Sequence, residues 1–334
     1  MHKALVTFLI SIGCTLPIQA STIFFTQIGS PDVFFGTFNP AAGGSLTGIT
    51  TIGSSPNGAD GILIGPNGTL FFAGEGSNGV FQIRQDGTSV PPLPSFGAGT
   101  TESFFLATNQ NAPDPSNTTV FTFNNAGSIA ALPVVGGFLQ PGTVSSVLGP
   151  DKNISDVFWS PTNQAYYLTG NEGTTGDLGL YNVATHTTSA PLFTGIPTAQ
   201  EAVFDPFTGL IILFGDGQVD TFNPTTNTLG TPVLLPGATA GTTCGGGSTG
   251  QLDAGTVDGA GHAYVAGCGN LYYIDYSSTH NILSLSNIRE SVPVSGGIKD
   301  VAVIQVATPE PSTITMVVIG LAGLGIRLRR RQRA

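Results

Sequence analysis

Acidic residues recur along this chain at a near-constant spacing, each standing just before a short apolar run. Asp60 precedes GILIGPNG, Glu102 precedes SFFLATNQ and Asp156 precedes VFWSPTNQ; Glu201 precedes AVFDPFTG, Asp253 precedes AGTVDGAG and Asp300 precedes VAVIQV. The intervals are 42, 54, 45, 52 and 47 residues. A period of this length, made of short strands, confines a chain to a few repeat architectures, because one unit cannot bury its own apolar face. The clearest unit runs from Asp60 to Pro94. Its four runs, GILIG, TLFFAG, VFQIRQ and TSVPPLP, are separated by Gly, Asn, Asp and Pro. Those residues supply the backbone angles and local side-chain bonds of tight turns, so each unit reads as one four-stranded antiparallel sheet. No long window carries a helical period, and the class is all-β.

Second strands recur as TLFFAG (69–74), AYYLTG (165–170), LIILFG (210–215) and HAYVAG (262–267). Third strands recur as VFQIRQ (80–85), VFTFN (120–124), LGLYNV (178–183), VDTFN (219–223) and LYYIDY (271–276). One unit departs from the pattern: residues 111–118, NAPDPSNT, fill its second-strand slot, and two prolines there predict a looped-out strand. The body opens with TIFFTQ (22–27), VFFGTFN (33–39) and SLTGITTIG (45–53), a unit that starts at its second strand. VAVIQV (301–306) from the far end supplies the missing inner strand. The expectation is a six-bladed β-propeller over residues 21–307, closed by that C-terminal strand so that no sheet edge is left open. The unit pattern resembles NHL-type and gluconolactonase-like propellers, with residues 253–275 the nearest stretch. The likeness consists of general features of a blade, so it supports a fold and not an activity.

The two ends differ from the body. Residues 1–20 have a short basic start, an apolar run from Ala4 to Ile12 and a polar stretch ending at Ala20, the pattern of a secretory signal peptide. Gly13-Cys14 suggests a lipoprotein site, but Ser11 is a poor residue before it. Residues 308–334 hold Pro309, Glu310 and Pro311, then an uncharged run from Ser312 to Ile326, then an arginine cluster that includes Arg329, Arg330 and Arg331. The run is shorter than the roughly 20 residues that span a bilayer comfortably, although arginine stems extend it. The arginines stay on the cytoplasmic side and leave the body outside. This tail resembles the PEP-CTERM sorting signal of Gram-negative bacteria. The resemblance implies a transient inner-membrane anchor, recognition and removal of the tail by an exosortase, and delivery to the cell surface or its exopolysaccharide matrix, with biofilm components or surface proteins as partners. The alternative is a permanent single-helix anchor.

Charge narrows the partners. Between Ser21 and Thr308 stand four basic and nineteen acidic residues, a net charge of −15. Such a body has no footprint for nucleic acid. Cys244 and Cys268 lie in one unit and, in an oxidising compartment, predict a disulfide. Inner strands of a propeller run in one direction, so Asp60, Glu102, Asp156, Glu201, Asp253 and Asp300 converge on one mouth. Converging carboxylates need an offset. Two readings stay open: a cation such as calcium, which takes six to eight oxygen ligands, or hydrogen bonds to backbone N–H groups of the same or the next unit.

Other motifs carry less. Gly74–Gly79 fits GxGxxG, but a strand follows it where phosphate binding needs a helix. Gly246–Gly250 fits GxSxG without a strand-to-helix elbow. His262 follows a turn at the opposite end of the channel and His186 and His280 fall in outer turns, with no nucleophile at triad spacing. Trp159, the single tryptophan, reads as core. The functional expectation is a non-catalytic surface or matrix binding module. A calcium-dependent lactonase-like hydrolase is the alternative.

Overall fold

The structure, a computed structural model, describes residues 20–304 except 28, 41–43, 56–57, 66–67, 75–78, 85–88, 94–105, 109–118, 125–127, 147–153, 173–174, 197–200, 216, 238–253 and 268. The N-terminal leader, the tail, Cys244, Cys268, the 246–250 loop, Glu102 and Asp253 therefore lie outside the described residues. Among the described residues the chain is all-β, and no helix is long and apolar enough to cross a membrane.

Strands β1 (Ser21–Gln27), β2 (Asp32–Asn39) and β3 (Ser45–Ser54) belong to sheet I. Sheet II holds β4 (Ala59–Ile64), β5 (Leu70–Gly74), β6 (Val80–Ile83) and β7 (Ser89–Leu93). Sheet III holds β8 (Leu106–Thr108), β9 (Thr119–Asn124), β10 (Ser128–Val135), β11 (Phe138–Leu139) and β12 (Thr143–Ser146). Sheet IV holds β13 (Ile154–Ser160), β14 (Ala165–Glu172), β15 (Thr175–Asn182), β16 (Thr187–Thr188) and β17 (Phe193–Ile196). Sheet V holds β18 (Glu201–Asp205), β19 (Leu210–Gly215), β20 (Gln218–Asn223), β21 (Thr228–Leu229) and β22 (Val233–Leu234). Sheet VI holds β23 (Ala254–Val257), β24 (His262–Gly267), β25 (Asn270–Asp275) and β26 (Ile288–Pro293). The last strand, β27 (Ile298–Val303), pairs antiparallel with β1 and completes sheet I in the order β27-β1-β2-β3.

The fourth strand is split where proline interrupts the ladder. Pro191 separates β16 from β17, and both pair with β15; Pro232, at the corresponding place, separates β21 from β22 on β20. Sheet III departs from the sequence expectation in one respect. The run VFTFN, expected as a third strand, lies in β9, which pairs directly with β8 and so holds second place. Residues 111–118 lie outside the described residues.

The sheets pack through apolar faces, and each buried cluster joins two neighbours. Val33 with Phe72 and Ile83 joins I to II; Leu63 and Phe71 with Val120 and Leu132 join II to III. Phe121 with Leu168 and Tyr181 joins III to IV, and Tyr167 and Leu178 with Ile211 and Phe222 join IV to V. Ile212 and Phe214 with Val265 and Tyr272 join V to VI, and Tyr264 and Tyr273 with Phe25 and Phe38 join VI back to I. Each fully buried Phe or Leu contributes roughly 1.5–3 kcal/mol. The first strands also touch in sequence: β4 with β8, β8 with β13, β13 with β18, β18 with β23, β23 with β27 and β27 with β4. One such approach needs glycine. A Cβ on Gly255 would lie 2.7 Å from the Phe214 ring, so any larger residue would push β23 off sheet V.

Candidate functional site

The recurring acids stand at or near the starts of the first strands. Asp60, Asp156 and Asp300 are only 2%, 3% and 5% exposed. Burying a carboxylate is costly unless its charge is met, and the structure shows what meets it. Asp156 Oδ1 accepts the N–H of its own neighbour, Val157, at 2.7 Å. Its Oδ2 accepts the N–H of Ala202, on β18 of the next sheet, at 2.9 Å. Asp300 repeats the arrangement: Oδ1 accepts from Val301 at 2.6 Å and Oδ2 from Ile62, on β4, at 2.5 Å. Glu201 Oε2 accepts the N–H of Gly255, on β23, at 2.8 Å. In each case a carboxylate of one sheet holds the first strand of the following sheet.

Asp60 is met differently. Lys299 Nζ lies 3.0 Å from Asp60 Oδ2, an ion pair between sheets I and II with both side chains largely buried. Burial pushes the Asp156 carboxyl up to about 7, against the pull of the Ala202 and Val157 N–H groups. Asp300 is also raised well above the ordinary carboxylate range. Burial is the main cause, the Ile62 and Val301 N–H groups oppose it, and the charges of Asp60 and Asp156 add to it. Glu102 and Asp253 lie outside the described residues. Of the six acids expected to meet a cation or backbone N–H groups, Asp156 and Asp300 each meet two N–H groups, Glu201 meets one, and Asp60 meets Lys299. Among the described residues no three His, Cys, Asp or Glu side chains are grouped to hold a metal ion.

A second polar cluster lies at the other end of the first strands. His262 Nδ1 is 2.6 Å from Asp258 Oδ2, and His262 Nε2 is 3.8 Å from Asp275 Oδ1. Its ring stacks on Tyr273. Asp205 and Asp258 close their own turns: Asp205 accepts the N–H groups of Phe207 and Thr208, and Asp258 those of Ala260 and His262. These are Asx turns, and they account for the acids that follow the apolar residues of β18 and β23. Trp159 is buried, as expected, against Tyr166. Beyond Gly74 the chain enters strand β6, not a helix.

The Lys299–Asp60 pair and the strand-to-strand bonds of the acids were not anticipated residue by residue. Lys299 had one signal, its scarcity: it is one of four basic residues between Ser21 and Thr308 and stands directly before Asp300.

Residues 307–331 match the PEP-CTERM protein-sorting motif. No curated protein matches the chain in sequence. Solved structures share the fold at low identity. A chain of a nidogen/laminin complex is 11% identical, with a TM-score of 0.60 over 86% of this chain and 100% of that one. The Pseudomonas aeruginosa periplasmic gluconolactonase PpgL is 13% identical, with a TM-score of 0.52 over 86% of this chain and 100% of that one. A protein of unknown function from Bacteroides caccae is 12% identical, with a TM-score of 0.55 over the same shares. The body is thus similar to β-propellers of the gluconolactonase and NHL kind, and at such identities the likeness extends to the fold alone. The sorting motif implies export, a C-terminal membrane anchor before sorting, and processing by an exosortase.

Proposed function

We propose that the chain is an exported, non-catalytic surface or extracellular-matrix module. Residues 1–20 act as a signal peptide and residues 308–334 as a tail removed by an exosortase. Residues 21–307 form a six-bladed propeller closed by β27, with a Cys244–Cys268 disulfide. The cyclic order of buried clusters and the β27–β1 pairing support the blade count and the closure. The observation that carries the non-catalytic reading is the engagement of the mouth carboxylates. Asp156, Glu201 and Asp300 each accept an N–H of the first strand of the next sheet, which supports a cohesive role for these acids.

Cell fractionation tests delivery. Wild-type chain is expected at the surface without its tail, while replacing Pro309, Glu310 and Pro311 by Ala leaves full-length chain in the membrane. Equal processing of both forms overturns the sorting half. Incubating the purified chain with simple lactones tests the other half. No turnover and no calcium-induced rise in melting temperature are expected; calcium-dependent turnover would replace this reading with the lactonase-like one.

A further inference from the structure

Sheets IV and V share one turn in atomic detail. Asn182 Oδ1 accepts the N–H groups of Ala184 and Thr185, and Asn223 Oδ1 accepts those of Thr225 and Thr226. His186 and Asn227 both take a left-handed conformation, with φ of 55° and 54°. Beside each turn a row of side chains crosses three strands in register. In sheet V the row is Ile211–Phe222–Leu229, and in sheet VI it is Ala263–Ile274–Ile288. In sheet IV it is Tyr166–Tyr181–Thr188.

The exchange of apolar for polar groups coincides with a groove of about 450 Å³, lined by Gln164, Tyr166, Tyr181, Asn182, Thr187 and Thr188 among others. That volume is in the range of small-molecule sites. The Tyr166 ring is held rigidly, edge-on to Trp159 at 4.7 Å and to Phe121 at 5.9 Å. The Tyr181 hydroxyl lies 3.2 Å from His186 Nδ1. The Thr188 hydroxyl is buried with no hydrogen-bond partner among the described residues. No charged side chain is among the lining residues.

Fixed aromatic rings suit the C–H face of a sugar, and amide and hydroxyl groups at the rim suit its hydroxyls. The net charge of −15 between Ser21 and Thr308 opposes anionic ligands. We propose that this groove binds an uncharged saccharide, with Tyr166 as the platform and Gln164 and Asn182, both exposed at its rim, as hydrogen-bonding groups. The inference rests on the reading of the body as a binding module.

The test is titration of the full-length chain in detergent with cellotriose, maltotriose and chitotriose, read by calorimetry and by the fluorescence of Trp159, the single tryptophan. At least one of the three is expected to bind. Tyr166→Ala and Gln164→Gly, the latter removing the amide while suiting the left-handed backbone at that position (φ 52°), are each expected to weaken binding tenfold or more. Should Tyr166→Ala fail to fold, Gln164→Gly decides alone. Binding of none of the three overturns the proposal, as does binding unchanged in the variants or equal binding of anionic trigalacturonate. Delivery is read separately in cells, so a chain that is sorted but binds no saccharide removes the groove and leaves the sorting reading intact.

Discussion

Sheets IV and V are near copies that treat the same position oppositely. Both have a split fourth strand, a proline at the split and an Asn-led turn with the same hydrogen bonds. Sheet V seals its outer row with Ile211 and Phe222, both wholly buried, and Phe222 is packed edge-on by Tyr167 and Phe193 of sheet IV. Sheet IV places two tyrosines and a threonine there; Tyr181 is 4% exposed, and Tyr166 is half-buried at the groove. The backbone of the repeat tolerates either choice because its turn is held by local bonds. One copy can therefore serve cohesion while the other opens toward solvent. The acids differ in the same pair. Asp156 is fully buried between two N–H groups, whereas Glu201 is half-buried.

The largest effect is expected at the sealed row. Phe222→Ala removes the ring that ties sheet V to sheet IV and should cost about 3–5 kcal/mol in denaturant unfolding. Tyr181→Ala also removes a buried ring, the one that packs with Phe121 and Leu168 between sheets III and IV, and should cost somewhat less, since its hydroxyl end lies at the groove beside His186. Equal losses would mean that sheet IV is as cohesive as sheet V.

The next effect separates the two acids. Asp156→Ala leaves the Val157 and Ala202 N–H groups buried without acceptors and should cost about 2–4 kcal/mol, with Glu201→Ala costing less. Asp156 also gives a pH signature. Its folded pKa is raised to about 7, so between the ordinary carboxylate range and that value the folded state holds a proton that the unfolded state has lost. This contribution is fully present below the ordinary carboxylate range, is lost as pH rises from there to about 7, and is level above that. Thermal unfolding at a series of pH values should show the fall in wild type and a shallower one in Asp156→Asn, where Asp300, also raised by burial, remains. A stability that instead climbs from pH 5 to 8 would contradict the burial argument.

The smallest effect is at Thr188. Replacing it with Leu copies Leu229 and removes a buried hydroxyl that lacks a partner, for a gain of up to about 1 kcal/mol. A loss would mean that the hydroxyl has a stabilising role in the free protein.

Much of the fold was legible because strand and turn signals are local. The runs LIILFG and HAYVAG coincide with β19 and β24 residue for residue, since alternation and flanking turn residues act over a few positions. The acids were legible as a series, and bonds to N–H groups of the same or the next unit were one of the two roles that series allowed, but which N–H groups they meet was not legible. The N–H that Asp300 meets, at Ile62, is 238 residues away, and the one Asp156 meets is 46 away. Nothing near Asp156 in the chain names Ala202. The VFTFN run was displaced by one place in its sheet because its spacing was aligned on an acid, while strand order is set by pairing. The tyrosine row of sheet IV was hidden for a related reason: Tyr166, Tyr181 and Thr188 become neighbours only once two hairpins are in register.

The sequence by itself determined the all-β class, the repeat and the sorting tail, because each is written in contiguous residues: alternating runs, turn residues, and the stretch from 307 to 331. Only the tertiary structure decided what the acids hold and which copy of the repeat opens a groove. Both depend on which strand edge meets which across sheets, and that is set by packing between units far apart in the chain.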